Sequence, residues 1–198
     1  MRGSALAGRG RRFFERLSRR IRRVESRVVS LAPPPLAGQP ASRPVGRALL
    51  SYILDPFLLP EGSPEPHSHT HFWESREIGR LLVAAGFELD VIHWTNRSFL
   101  PERPYDLFID VRLNLERLGP LLGPDCLKLM HIETAHCDFY NPAQRRRLAE
   151  LAERRGIRLA PYKLLEPNGA IEHAHAAPIL GNRATQATYA HAGKPLWP

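Results

Sequence analysis

His131, Glu133, Thr134, His136 and Asp138 crowd into one short stretch directly after an apolar run at residues 126–132. Imidazoles and carboxylates beyond the end of a buried strand can hold hydroxyl groups and move protons. His131 and His136 are both candidates for a proton relay, and residue type does not choose between them. Glu133 is a candidate ligand contact on the same loop. A second group lies upstream. His67, His69 and His71 alternate, and Trp73 and Glu74 follow. A tryptophan ring can stack on a sugar face while a carboxylate accepts hydrogen bonds from its hydroxyls. Glu74 has the same chemistry available for general-base work. The competing reading of this group is a helix start, with Glu74 in the favourable first turn and Trp73 as an anchor. Asp110, near the end of another apolar run, is placed to face a cleft. Alternating histidines can share a metal, but no cysteine or aspartate stands at a spacing that completes the ligand set, so no metal is expected. Cys137 beside His136 is a weak case for a nucleophilic dyad, and Cys126 reads as core.

These side chains need a scaffold, and the apolar runs supply one. Residues 47–54 read as a buried strand closed by Asp55-Pro56, followed by a Pro- and His-rich loop through residue 71. Residues 72–85 have helical character and stop at Gly86. Strands are expected at residues 88–94, 105–111 and 126–132. A helix is expected at 142–155, with Pro142 in its first turn and Gly156 at its end. Shorter strands are expected at 157–159 and 178–180, and a last helix at 184–191. Strand alternating with helix predicts an α/β fold, a Rossmann-like, doubly wound and mostly parallel sheet in a single domain. Ligands in such sheets bind at the carboxyl ends of strands, which is where the polar groups fall. No Gly-x-Gly-x-x-Gly follows the first strand, so the sequence gives no warrant for a phosphate cradle.

The 198 residues carry a net charge of +8. Residues 1–50 hold twelve Arg and two acidic residues, which is +10, so residues 51–198 sum to −2. The basicity belongs to one end, and a nucleic-acid partner for the body is not expected. Phe14, Leu17, Ile21, Val24 and Val28 recur at helical spacing among arginines. This predicts a basic amphipathic arm over residues 1–31, suited through residues 11–31 to an anionic membrane or a partner protein. Residues 32–46 are rich in Pro, Ala and Gly and read as a linker to the body at 47–198. Two cysteines exclude a disulfide scaffold, and no apolar run is long enough to span a bilayer. The expected location is cytoplasmic, peripheral to the inner face of the membrane.

His69-Thr70-His71-Phe72-Trp73-Glu74-Ser75, followed by Gly79, Ala85-Gly86-Phe87 and Asp90-Val91-Ile92, resembles the N-terminal, acceptor-side domain of bacterial GT-B fold glycosyltransferases. Tyr105-Asp106-Leu107, Thr134-Ala135-His136, Asn141, Arg154-Arg155-Gly156, Gly181-Asn182, Thr185 and Tyr189 extend the similarity over about residues 48–198. The resemblance implies two facing Rossmann-like domains, with the nucleotide-sugar donor held by the second. The chain stops at about the point where the crossover to that domain would begin. It implies an acceptor-side half that binds no cofactor itself, is inactive alone, and transfers sugar to a sugar or glycan hydroxyl when a donor domain is supplied. Glu74, His131 and His136 would then be the catalytic candidates, with His71, Trp73, Asp110 and Glu133 contacting the acceptor. The alternative is a small α/β binding or regulatory protein tethered by its basic helix.

Overall fold

The computed structural model describes residues 26–33, 43–60 and 70–198. Strands β1 (Val28–Leu31), β2 (Gly46–Tyr52), β3 (Phe87–His93), β4 (Leu107–Asp110) and β5 (Leu127–Met130) form a sheet in the order β1-β3-β2-β4-β5. Strands β6 (Ala177–Pro178) and β7 (Leu196–Trp197) pair in parallel. The helices are α1 (Thr70–Ala84), α2 (Asn114–Leu118), α3 (Cys137–Arg155) and α4 (Arg183–Ala187). The fold is α/β, a mixed and mostly parallel sheet flanked by helices. The described residues divide into two compact units. One runs to Phe108 and adds Leu122–Cys126; the other comprises Ile109–Leu121 and Leu127–Pro198. No helix among the described residues is long and apolar enough to cross a membrane.

In the first unit β2 and β3 run parallel, with Leu49 beside Asp90 and Leu50 beside Val91. Ala48, Leu49, Leu50, Leu89, Val91 and Ile92 are buried. Strands covered on both faces are rich in apolar residues; β2 supplies Ala48-Leu49-Leu50, and in β3 the buried Asp90 interrupts Leu89, Val91 and Ile92. Helix α1 packs close to a 3-10 turn at Asp55–Phe57. A Cβ on Gly79 would lie 2.6 Å from the Phe57 ring, so only glycine allows that approach. Ser75 donates its hydroxyl to the Ile53 carbonyl at 2.7 Å and fastens the first half of the helix.

Strand β1 corrects the expectation of a helix continuing to Leu31. Val28–Leu31 is extended and pairs antiparallel with β3, Val28 opposite Ile92 and Leu31 opposite Leu89. Val29 and Leu31 are half-buried while Val28 and Ser30 are exposed, the alternation of a strand. Four residues are too few to separate a period of two from a period of 3.6, and two adjacent valines favour the extended form. The arm before Ser26 and residues 34–42 of the expected linker lie outside the described residues, as do His67 and His69.

In the second unit the end of β4 meets β5 through the His131 N–H, which donates to the Asp110 carbonyl at 2.8 Å. Met130 and Ile132 donate to the carbonyls of Ala176 and Pro178, bringing β6 alongside. Helix α2 was not expected, because five residues are too short for a helical period to register. Helix α3 begins at Cys137, five residues before the expected start. Pro142 therefore lies inside the helix, where its missing N–H omits one bond to the Asp138 carbonyl. The helix closes on Gly156 (φ +67°), with Arg154 and Arg155 at the negative end of its dipole. The strand expected at 157–159 is absent. Ile157 and Leu159 are exposed, and residues 156–169 form no regular element. Asn141 brackets that stretch instead, accepting from the Leu165 N–H at 2.8 Å and donating to the Leu165 carbonyl at 2.9 Å. The last helix ends at Ala187, short of the expected 191, and a 3-10 turn follows at Ala190–Ala192.

Candidate functional site

In the first unit, β2 delivers Tyr52 at its carboxyl end and the first turn of α1 delivers His71 and Glu74. The Tyr52 hydroxyl donates to Glu74 Oε2 at 2.6 Å. It lies 2.7 Å from His71 Nδ1, which is itself 3.2 Å from Glu74 Oε2. A phenol has one proton. Once it is given to Glu74, the phenolic oxygen can only accept from His71, so Nδ1 carries the ring hydrogen. In the neutral ring Nε2 then holds the lone pair, and the carboxylate stabilises the imidazolium that forms when Nε2 takes a proton. This is the orienting logic of a base steadied by a third group. The His71 side chain is 29% exposed and that of Glu74 only 14%, so the imidazole reaches solvent and its support is shielded. Trp73 lies on the same turn with 59% of its surface exposed. A large aromatic face open to water suits a polyhydroxylated ring, but Trp73 follows His71 by two residues, which on a helix sets the two side chains about 200° apart.

In the second unit the loop after β5 and the start of α3 form a small cleft. Arg112, Glu133, Thr134, His136, Cys137 and Tyr189 are among its lining residues, and its cavity volume is about 30 Å³. Arg112 pairs with Glu133 at 3.2 Å, and the Glu133 side chain is 9% exposed. His136 is the N-cap of α3. Its Nδ1 accepts from the Asp138 N–H at 3.3 Å, and its own N–H donates to Thr188 Oγ1 at 3.0 Å. Its ring meets Tyr189 and His191 edge to face, with centroids 5.1 and 4.5 Å away. Burial depresses the His136 pKa and the neighbouring His191 depresses it further, against the pull of Asp138. Burial raises the Cys137 thiol, with Asp138 adding to it, so the thiolate is disfavoured. Burial also pushes Tyr189 up to about 12, and its hydroxyl donates to the Thr134 carbonyl at 3.1 Å.

The expected site residues are divided between the two units. Within the first, His71 and Glu74 come together, and Trp73 lies on the same turn. Glu133 and His136 line one cleft. His131 is buried on β5's exit, its N–H joining β4. Asp110 is fully buried, and its Oδ2 accepts from the backbone N–H groups of Arg112 (3.2 Å) and Leu115 (2.8 Å), which fixes the start of α2. Tyr52, Arg112 and His191 were missed. The one signal for Tyr52 was a polar atom closing an otherwise apolar strand. His136, Cys137 and Asp138 place donor atoms within 4.8 Å of one another, and no ion is present. Compared with known proteins, the chain matches no family model, no curated protein and no solved structure.

Proposed function

We propose that the chain is the acceptor-side half of a GT-B type glycosyltransferase, its sheet a Rossmann-like, doubly wound one. The observation that carries the reading is the Tyr52–Glu74–His71 network at the carboxyl end of β2, with the exposed Trp73 on the same helical turn. Ligands of open α/β sheets gather at such strand ends. Trp73 stacks on the acceptor sugar, and His71 Nε2 takes the proton of its reacting hydroxyl. The acceptor oxygen bonds to the anomeric carbon of the nucleotide sugar, the bond from that carbon to the diphosphate oxygen breaks, and the nucleoside diphosphate leaves with the bonding pair. Glu74 and Tyr52 hold the resulting imidazolium. The donor nucleotide is assigned to a separate domain, because Gly-rich phosphate loops do not occur in this sequence.

Saturation-transfer NMR of the chain with a panel of mono- and oligosaccharides, and with nucleotide sugars, tests this. The expected result is transfer to a neutral sugar that drops about fivefold or more in Trp73→Ala, the ring being worth about 1 kcal/mol or more of contact. The reading fails if no sugar responds, if Trp73→Ala leaves the signal unchanged, or if the nucleotide moiety is what binds.

A further inference from the structure

The charge of the body is unevenly spread. Residues 141–165 hold seven basic residues (145–147, Arg154, Arg155, Arg158 and Lys163) against Glu150 and Glu153, a net +5. Since residues 51–198 sum to −2, everything else in that range sums to −7. The same stretch displays apolar surface. Tyr162 is 79% exposed and Leu159 57%, with Ile157 and Leu164 also open to solvent. A groove of about 600 Å³ runs between α3 and residues 158–161, its apolar lining supplied by Leu148, Ala149, Ala152, Leu159 and Pro161, its charged lining by Arg145 and Arg158 against Glu153. Among the described residues, Arg145, Arg146, Arg155 and Arg158 form no ion pair. Lys163 Nζ lies 5.6 Å from the centre of the Tyr162 ring, so the cation and the aromatic face one way.

We infer that α3 and residues 157–164 form a docking surface for an anionic lipid bilayer. Basic and apolar side chains are interspersed and exposed within one short stretch: Ile157, Arg158, Leu159, Tyr162, Lys163, Leu164. The boundary between headgroups and acyl chains offers negative charge and hydrocarbon within a few ångströms, and tyrosine favours that depth because one end is apolar and the other wet. The guanidiniums and Lys163 keep their charge at the phosphates while their stems lie against hydrocarbon. An acidic protein surface would match the charge but would leave Leu159 and Tyr162 without an apolar counterpart. Each basic residue near an anionic membrane surface contributes to attraction, and the effect fades within a Debye length, so binding falls with salt. The inference is independent of the sugar-binding reading, because it uses none of Tyr52, His71, Trp73 or Glu74.

The test uses the full chain, arm included, with vesicles of phosphatidylcholine containing about one third phosphatidylglycerol, and with phosphatidylcholine alone. Leu159→Asp/Tyr162→Asp should weaken co-flotation with the anionic vesicles about tenfold or more, since two inserted side chains are lost. In Tyr162→Trp, emission should shift to the blue on adding anionic vesicles and be quenched by brominated acyl chains. Unaltered circular dichroism of both variants keeps the comparison fair, these side chains being exposed. Equal flotation of the double variant, no quenching at position 162, or equal binding to neutral vesicles overturns the inference. So does a dimer or a complex with an acidic protein that the double variant abolishes while flotation is unchanged, which would make the surface a protein interface.

Discussion

Asp90 and Glu74 are both carboxylates that accept a tyrosine hydroxyl in the first unit, at 2.5 and 2.6 Å. Asp90 sits mid-strand on β3. It also accepts from Ser30 Oγ and from Arg103 on both oxygens, at 2.9 and 3.1 Å. Burial works to raise its pKa, but hydrogen bonds from Ser30, Tyr105 and Arg103 and the arginine charge outweigh it, so the net shift is downward. Burial and the neighbouring carboxylate push Tyr105 well up, which keeps its proton in place. Glu74 sits in the first turn of α1, reached by Tyr52 from the end of β2, and its network runs through the part-exposed His71. The same pair of functional groups is closed and charge-balanced in the middle of a strand and reaches solvent where a strand end meets a helix start. A closed network ties segments together; the other presents an imidazole at the surface.

If that contrast is right, breaking the closed network costs the most. Asp90→Ala should lower the unfolding free energy by about 3 kcal/mol, because a buried tyrosine hydroxyl and a guanidinium lose their partner together. Urea unfolding measures it. The native carboxyl has the depressed pKa, so its stabilisation is present above the unfolded value of about 3.9 and is lost as pH falls through the lower native value. Asp90→Asn should therefore flatten the acid limb of stability against pH. An unchanged limb would deny the ion pair its part.

A smaller effect is expected at the open network. Tyr52→Phe should cost about 1 kcal/mol in stability, one hydrogen bond's net worth. The matching readout is the NMR chemical shifts of the His71 ring, which should change in Tyr52→Phe. A loss as large as that of Asp90→Ala would make both networks structural. Smallest of all, Trp73→Ala should leave stability within about 0.5 kcal/mol, as for an exposed side chain without a packing role. A larger loss would restore the reading of Trp73 as a helix anchor.

The parallel strands and α1 were legible because short stretches rich in apolar residues and a Gly stop are local signals. Helix α2 and strand β7 were not, since each is too short to carry a period. The early start of α3 was hidden by His136, whose capping comes from a ring nitrogen rather than the short oxygen side chains that usually announce a helix. For the site, His71, Trp73 and Glu74 were visible as residue types in a loop. Their support was not, because Tyr52 lies 22 residues from Glu74 and looks like any core aromatic. Asp110 shows the converse. Position near a strand end suggested a ligand contact, while the backbone N–H groups that claim its oxygen exist only once the chain turns into α2.

Strand β1 sets a clock on synthesis. It leaves the ribosome first, yet Ser30 is 60 residues ahead of the Asp90 it bonds. At about 5–20 residues per second, β1 waits on the order of 3 to 12 s for its partner strand to be made. Through that interval the segment Val28–Leu31 has no strand to pair with, and the basic stretch before it emerges earlier still. The arm thus meets its surroundings before the sheet that will hold the end of β1 exists.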